Sequence, residues 1–378
     1  MATAEAQSGA APSAVLRTLE EAAQHPGFAE LDLGVSIWVD GWGEVLAVNP
    51  ELALEPASNQ KILVAYGVNT LLESDARLRT TAEMVGSDLV VRAAADPTLT
   101  SNDISALAAE LGSNGVAKAD RLVVDVSNYA QGPRAAGWLD WQIPRYVGPL
   151  SGLMIDNNRW TSSDSFVTGP DLVNAERIRD LLSPHVAVTS VVVDDSPVGD
   201  VVAIHESEPI DSLVRTMLLS SDNQHADLLL MELGRVGAGD GTLSAGADVL
   251  TEQLEQMCIP IAGISDDGSG LSRDNQRSAR EFQEILRSIR LTETGDQLRE
   301  QLPVGGVSGT LASRFGGADA GRVQAKTGTI IGGRALSGYA TTDSGREVVF
   351  SVIVNGEPGA AHASLGAIDS LVRAVLRT

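Results

Sequence analysis

Two short, mainly apolar runs, Gly34-Val-Ser-Ile-Trp-Val-Asp40 and Glu44-Val-Leu-Ala-Val48, stand on either side of Gly41-Trp-Gly43. Two such runs with a glycine-rich joint predict a β-hairpin. A helix is predicted before it, over residues 14–23. After Pro56 the chain turns strongly apolar from Ile62 to Leu72. This stretch is too long for a buried strand and predicts a central helix with Ser58 at its N-terminus. Over residues 78–204 the texture changes to short valine-rich runs, Asp88-Leu-Val-Val-Arg92, Arg121-Leu-Val-Val-Asp125 and 186–193, separated by Gly, Pro and Asp. Helical spacing returns at 210–219, 226–233, 246–257 and 279–289. The tail predicts strands at 323–329, 335–341 and 346–354, closed by a helix over about 361–376.

Strands at both ends with helices between them imply an α+β fold, the first hairpin and the last three strands sharing one antiparallel sheet. The chain has 378 residues, more than one core usually organises. The expected division is therefore 1–77 with 206–378 as the main domain and 78–205 as an inserted mixed module.

Composition narrows the class: 43% hydrophobic, 20% charged and 4% aromatic residues describe an ordinary globular chain. A formal net charge of −23 argues against nucleic acid or an anionic membrane surface as the main partner, because both are held by clustered Lys and Arg. The sequence holds no apolar run of about 18 residues, so no integral membrane segment is expected. The start, residues 1–12, lacks a basic patch followed by an apolar core and is not an intact signal peptide. Cys258 is the only cysteine; it excludes an intramolecular disulfide and a cysteine metal cage, and is expected as a buried small apolar residue. His25, His185, His205, His225 and His362 lack metal-ligand spacing and are expected to be structural or at the surface.

Lysine is scarce: of 27 basic residues only Lys61, Lys118 and Lys326 are Lys. A retained amine suits proton transfer, for which an always-charged guanidinium is a poor substitute. Two of the three fall in short motifs, Ser58-Asn59-Gln60-Lys61, Ser221-Asp222-Asn223 and Lys326-Thr327-Gly328-Thr329, in that order. At this lysine frequency S-x-x-K arises by chance about 0.2 times and K-T-G about 0.02 times, so their joint presence carries information. Ser58 and Lys61, at i and i+3 of a helix, project from one face. A serine hydroxyl is a weak nucleophile without an adjacent base. A buried amine near a second cation is pushed toward its neutral form, so Lys61 with Lys326 nearby can accept the Ser58 proton. Ser221 and Asn223 would complete the relay, the hydroxyl reaching toward the leaving group and the amide holding Lys61 or substrate backbone. Strand alternation aims Lys326 and Gly328 to one face and the threonines to the other; Gly328 would let a substrate approach closely. Backbone N–H groups of Ser58 and Thr329 would serve as oxyanion donors. The hydroxyls of Thr327 and Thr329, with the charge of Lys326, would hold a terminal carboxylate.

This triplet is a known signature of penicillin-binding proteins and class A β-lactamases. With Ala95-Asp-Pro-Thr-Leu-Thr100, Gly137-Trp138, Arg145-Tyr146, Asp267-Gly-Ser-Gly-Leu-Ser-Arg-Asp-Asn275, Gly305-Gly-Val-Ser-Gly-Thr310 and Gly338-Tyr339, the chain resembles the class C low-molecular-mass penicillin-binding proteins. These form the D-alanyl-D-alanine carboxypeptidase/endopeptidase family. The resemblance implies a serine β-lactamase/transpeptidase-like domain, its antiparallel sheet flanked by helices, with one inserted module. It further implies no cofactor or metal, an extracytoplasmic location, and peptidoglycan stem peptides and β-lactam antibiotics as partners. Arg273 is the candidate for holding a substrate carboxylate, with Trp138 and Tyr146 as further substrate-binding residues. Where diaminopimelate-reading relatives carry an acidic residue three positions after Trp138, this chain has Trp141, beside Asp140.

A β-lactamase or esterase would share Ser58 and Lys61 and differ in how fast the acyl-enzyme hydrolyses. A non-catalytic peptidoglycan-binding scaffold would not need the motifs intact. No G-x-S-x-G elbow, H-E-x-x-H helix or phosphate-binding G-x-x-x-x-G-K-[ST] loop occurs.

Overall fold

The strand runs at the two ends of the sequence become one sheet in the computed structural model, which describes residues 9–129, 134–159, 166–259 and 262–378. Residues 1–8, most of the N-terminal stretch considered above, lie outside these. The elements run α1 (Ser13–Ala23), the hairpin β1 (Asp32–Val39) and β2 (Gly43–Val48), and α2 (Gln60–Leu71). Next come β3 (Arg77–Val85), β4 (Asp88–Arg92), α3 (Ser101–Ser113), β5 (Lys118–Asp125), α4 (Pro170–Leu182), β6 (Ala187–Val193) and β7 (Asp200–Pro209). Five helices follow: α5 (Ile210–Ser220), α6 (Asn223–Ala238), α7 (Leu243–Glu255), α8 (Ala279–Ile289) and α9 (Glu293–Gln301). The chain closes with β8 (Val323–Ile330), β9 (Gly333–Thr341), β10 (Glu347–Asn355), α10 (Pro358–Ala363) and α11 (Leu365–Leu376).

The residues form two compact units. The first takes the chain up to Asn69, Arg215–Asp222 and Leu250–Thr378. Its sheet has the order β2-β1-β10-β9-β8, antiparallel throughout. The first hairpin and the last three strands thus share one antiparallel sheet, as strands at both ends of the sequence imply. One face presents Val35, Ile37, Leu336, Phe350 and Val352 to Leu19 of α1 and to Ile368, Leu371 and Val375 of α11. Each fully buried aliphatic side chain here stabilises the fold by about 1.5–3 kcal/mol. The opposite face is more polar: Tyr339 donates to the Leu286 carbonyl of α8 at 3.0 Å, and Ser36 to Gln283 at 3.3 Å. Helix α8 starts where Ser278 and Glu281 cap each other's backbone N–H, at 3.1 and 2.8 Å, a reciprocal box that satisfies two orphan donors. The C-terminal helix expected over 361–376 is two helices, broken at Ser364, whose hydroxyl bonds back to the Ala361 carbonyl at 2.8 Å.

The second unit takes Thr70–Val214 and Asn223–Val249. Its sheet order is β6-β5-β4-β3-β7, with β4-β5 and β5-β6 parallel and the pairs made by β3 antiparallel. Gly86, at φ 63°, makes the two-residue turn from β3 to β4, a conformation a residue without Cβ adopts freely. Helices α3 and α4 are the crossovers parallel strands require. They bury Ile104, Leu107, Leu111, Ile178 and Leu182 against Leu89, Val91, Leu122 and Val124. Neither helix is expected from the sequence. Ala, Ser and Gly dilute the apolar stripe of α3, and Asp, Glu and Arg that of α4.

Cys258 corrects an expectation: it is exposed. It closes the turn after α7, its N–H donating to Glu255 at 3.0 Å, in a left-handed conformation that turns its side chain outward. Among the described residues no helix is long and apolar enough to cross a membrane.

Candidate active site

The first unit assembles four motif side chains. Pro56 ends the extended entry, Ala57 takes a left-handed φ of 48°, and Ser58 sits in a single 3₁₀ turn feeding α2. Lys61, one turn on and fully buried, places its Nζ 3.0 Å from Ser58 Oγ. That is hydrogen-bond reach between a nucleophile and its base. Lys61 also donates to the Ser269 carbonyl. The loop bearing Ser269 is built around buried Asp267, which accepts from the N–H groups of Gly270, Leu271 and Ser272 at 2.8, 3.1 and 2.8 Å and from the Asn275 amide at 2.7 Å. Gly270, at φ 82°, presses against the nucleophile turn, and a Cβ there would stand 2.0 Å from the Ala57 carbonyl oxygen. Sequence reading marked this stretch by resemblance alone. Its part in seating Lys61 and Ser58 appears only when the loop is folded.

Lys326 enters from β8, fully buried, and donates to Ser221 Oγ and to the Thr327 carbonyl, each at 2.9 Å. Burial, then the neighbouring charge of Lys61, pushes its amine well below the ordinary lysine range. Ser221 follows α5 at a φ of 60°. For a residue with a Cβ this conformation is strained, and such strain is typical of functional sites.

Alternation along β8 runs as its sequence implies: Lys326 and Gly328 are buried, Thr327 half-buried and Thr329 exposed. A Cβ at Gly328 would meet the Pro56 carbonyl oxygen at 2.8 Å and Ala335 Cβ at 2.9 Å. What the glycine permits is the close passage of β8 past the nucleophile turn. Segment 303–305 covers the outer edge of β8 at its start, where Ala325 N–H donates to Pro303 at 3.0 Å and Gly305 N–H to Val323 at 2.8 Å. Odd-numbered residues therefore direct N–H and C=O to that edge. By the same parity Thr327 and Thr329 present theirs to the uncovered part. Thr327 Oγ1 donates to Thr310 Oγ1 at 2.8 Å. Arg273 pairs with Glu55 and donates to the Ile331 carbonyl at 2.8 Å, two residues past Thr329.

In the second unit Asn223 opens α6, and its Nδ2 donates to the Tyr146 carbonyl at 3.0 Å. Tyr146 and Trp141 are exposed and meet edge to face with ring centroids 5.9 Å apart. Trp138 is buried at 2% exposure, so the aromatic faces this loop offers are those of Trp141 and Tyr146. Asp140, at Trp141's side, pairs with Arg134 at 2.8 Å.

The family model described as D-Ala-D-Ala carboxypeptidase 3 (S13) family matches residues 16–168 and 167–375. Carboxypeptidase DacB of Mycolicibacterium smegmatis is 29% identical over 376 residues, covering 91% of this chain and 79% of that protein. D-alanyl-D-alanine carboxypeptidase of Actinomadura sp. is 37% identical over 170 residues, 43% of this chain and 31% of that protein. The crystal structure of penicillin binding protein 4 (dacB) from Haemophilus influenzae superposes with a TM-score of 0.85 at 21% identity, covering 95% of this chain and 99% of that one, which establishes the transpeptidase-like fold. With nearly the whole chain matched by the family model, the protein belongs to the D-Ala-D-Ala carboxypeptidase 3 (S13) family.

Proposed function

We propose that the chain is a serine D,D-carboxypeptidase and D,D-endopeptidase of peptidoglycan stem peptides, working through an acyl-enzyme on Ser58 that β-lactams trap. The observation that carries this reading is the pair of buried amines, Lys61 3.0 Å from Ser58 Oγ and Lys326 2.9 Å from Ser221 Oγ. A pocket this dry accommodates one ammonium far better than two.

The two buried amines share one proton, and attack proceeds from the state that has it on Lys326 with Lys61 neutral. Ser58 Oγ attacks the carbonyl of the penultimate D-alanine while its proton passes to Lys61. The oxyanion takes hydrogen bonds from the backbone N–H groups of Ser58 and Thr329. Once Lys61 is charged, a second ammonium at Lys326 becomes unfavourable. Lys326 then releases its proton through the Ser221 hydroxyl to the departing amine, and the C–N bond breaks. One positive charge has moved from Lys326 to Lys61, and water then resolves the ester. Asn223 is assigned, from its place in the second motif, to the substrate backbone. Thr329 is assigned to the terminal carboxylate, joined by Thr327 when its hydroxyl turns from Thr310 to the substrate, and Arg273 and Tyr146 to the substrate's flanks. This chemistry belongs outside the cytoplasm, where cross-linked peptidoglycan is. Digestion of defined muropeptides tests the reading: release of free D-alanine and resolution of cross-linked dimers support it, and intact substrate in both digests overturns it.

A further inference from the structure

Resting on that reading, we propose that Thr310 is a specificity-determining residue, closing the blind end of the substrate groove and reading the free carboxylate of the departing residue.

Three features place it there. The open edge of β8 is bounded at one end because segment 303–305 occupies the edge as far as Ala325. An extended peptide lying along Thr329 and Thr327 therefore meets a wall where Thr310 stands. The wall is rigid: Thr310 lies in the 3₁₀ turn Gly309–Leu311, and Gly309, at φ 56°, fits so closely that a Cβ there would be 2.8 Å from the Leu219 carbonyl oxygen. Leu219 is two residues before Ser221, so the turn is keyed to the helix end that supplies the relay hydroxyl. Finally, Thr310 is exposed, and in the 2.8 Å bond from Thr327 its Oγ1 is the acceptor. Its own O–H remains to donate outward. A blind end with an outward hydroxyl suits a chain terminus that carries an anion, and excludes a peptide that continues past it.

The test uses two peptides that differ only at the end, one finishing in D-Ala-D-Ala acid and the other in D-Ala-D-Ala carboxamide. The readout is kcat/KM for each with the wild type, Thr310→Val and Thr310→Ser. Loss of one hydrogen bond to a charged group predicts that T310V lowers the acid-over-amide ratio about tenfold or more, while T310S keeps most of it. An acid-over-amide ratio that T310V leaves unchanged, or that T310S lowers equally, overturns this inference alone. A wild type that cleaves neither peptide overturns the peptidase reading and this inference with it.

Discussion

Lys326 reaches from a sheet strand to Ser221, its Nζ 2.9 Å from a hydroxyl whose residue is held at a φ of 60°. Two elements distant in sequence are thus joined by an amine whose burial and neighbour depress its proton affinity. The relay needs one proton shared between Lys61 and Lys326. Acylation of Ser58 should therefore rise with pH as the doubly protonated pair loses its first proton, and fall as the second is lost. Stopped-flow acylation across pH checks this bell. Lys61→Arg, which keeps charge but gives up no proton, should acylate at least a thousandfold slower at every pH.

Stability responds to the same amine with a definite sign. The folded pKa of Lys326 lies below the unfolded 10.5, so between these values the unfolded chain binds a proton the folded chain lacks. Stability rises with pH through that window. Lys326→Met removes the buried amine, and the expected outcome is an inactive protein whose Tm is higher by about 2–4 °C, the shift 1 kcal/mol gives a domain of some 200 residues. Calorimetry of both proteins at neutral pH measures it.

Gly270 offers a steric test of how the nucleophile is seated. Ala at this position would carry a Cβ 2.0 Å from the Ala57 carbonyl oxygen on a backbone of φ 82°. Gly270→Ala should displace the Ser58 turn and slow acylation by about a hundredfold, the loss a misplacement of about 1 Å produces. The circular dichroism spectrum should stay unchanged.

The first turn of α2 is also tied to the sheet by a buried polar chain. Asn59 donates to Ser337 at 2.6 Å, and Ser337 shares a 2.7 Å bond with Ser351, all three fully buried. Asn59→Leu removes the donor to Ser337 and leaves that hydroxyl with Ser351 alone in a dry interior. Urea unfolding should show a loss of about 1–3 kcal/mol.

His205 in the second unit sets a separate pH dependence. Its hydrogen bond to Asp96 at 3.2 Å, with Asp103 4.0 Å away and Glu206 beside it, raises its pKa above the ordinary 6.5. The stabilisation is complete below the unfolded value and is lost as pH rises through the raised one. The stability difference between wild type and His205→Gln should therefore shrink from pH 6 to pH 8, as parallel urea titrations would report.

Much of the main sheet was legible because its strands alternate or run apolar between glycines, and α8 was legible from end to end. Helices α3 and α4 were not: their apolar faces are thin, and crossover geometry rather than local propensity holds them in place. At the site, Ser58, Lys61 and Lys326 stood out through lysine scarcity and spacing. Asp267 did not, because its work is to gather backbone N–H groups, which leaves no side-chain pattern to read. The pairing of Arg273 with Glu55 was equally hidden, since 218 residues separate them. Trp138 shows the converse: its identity was noticed, but only packing reveals that Trp141 and Tyr146 hold the exposed faces.

The most direct measurement is mass spectrometry of the protein after incubation with a reactive penicillin. The account predicts one intact penicillin joined to each chain, mapped to the peptide containing Ser58 and absent from Ser58→Ala. An unmodified chain, or an adduct that persists in Ser58→Ala, would contradict it.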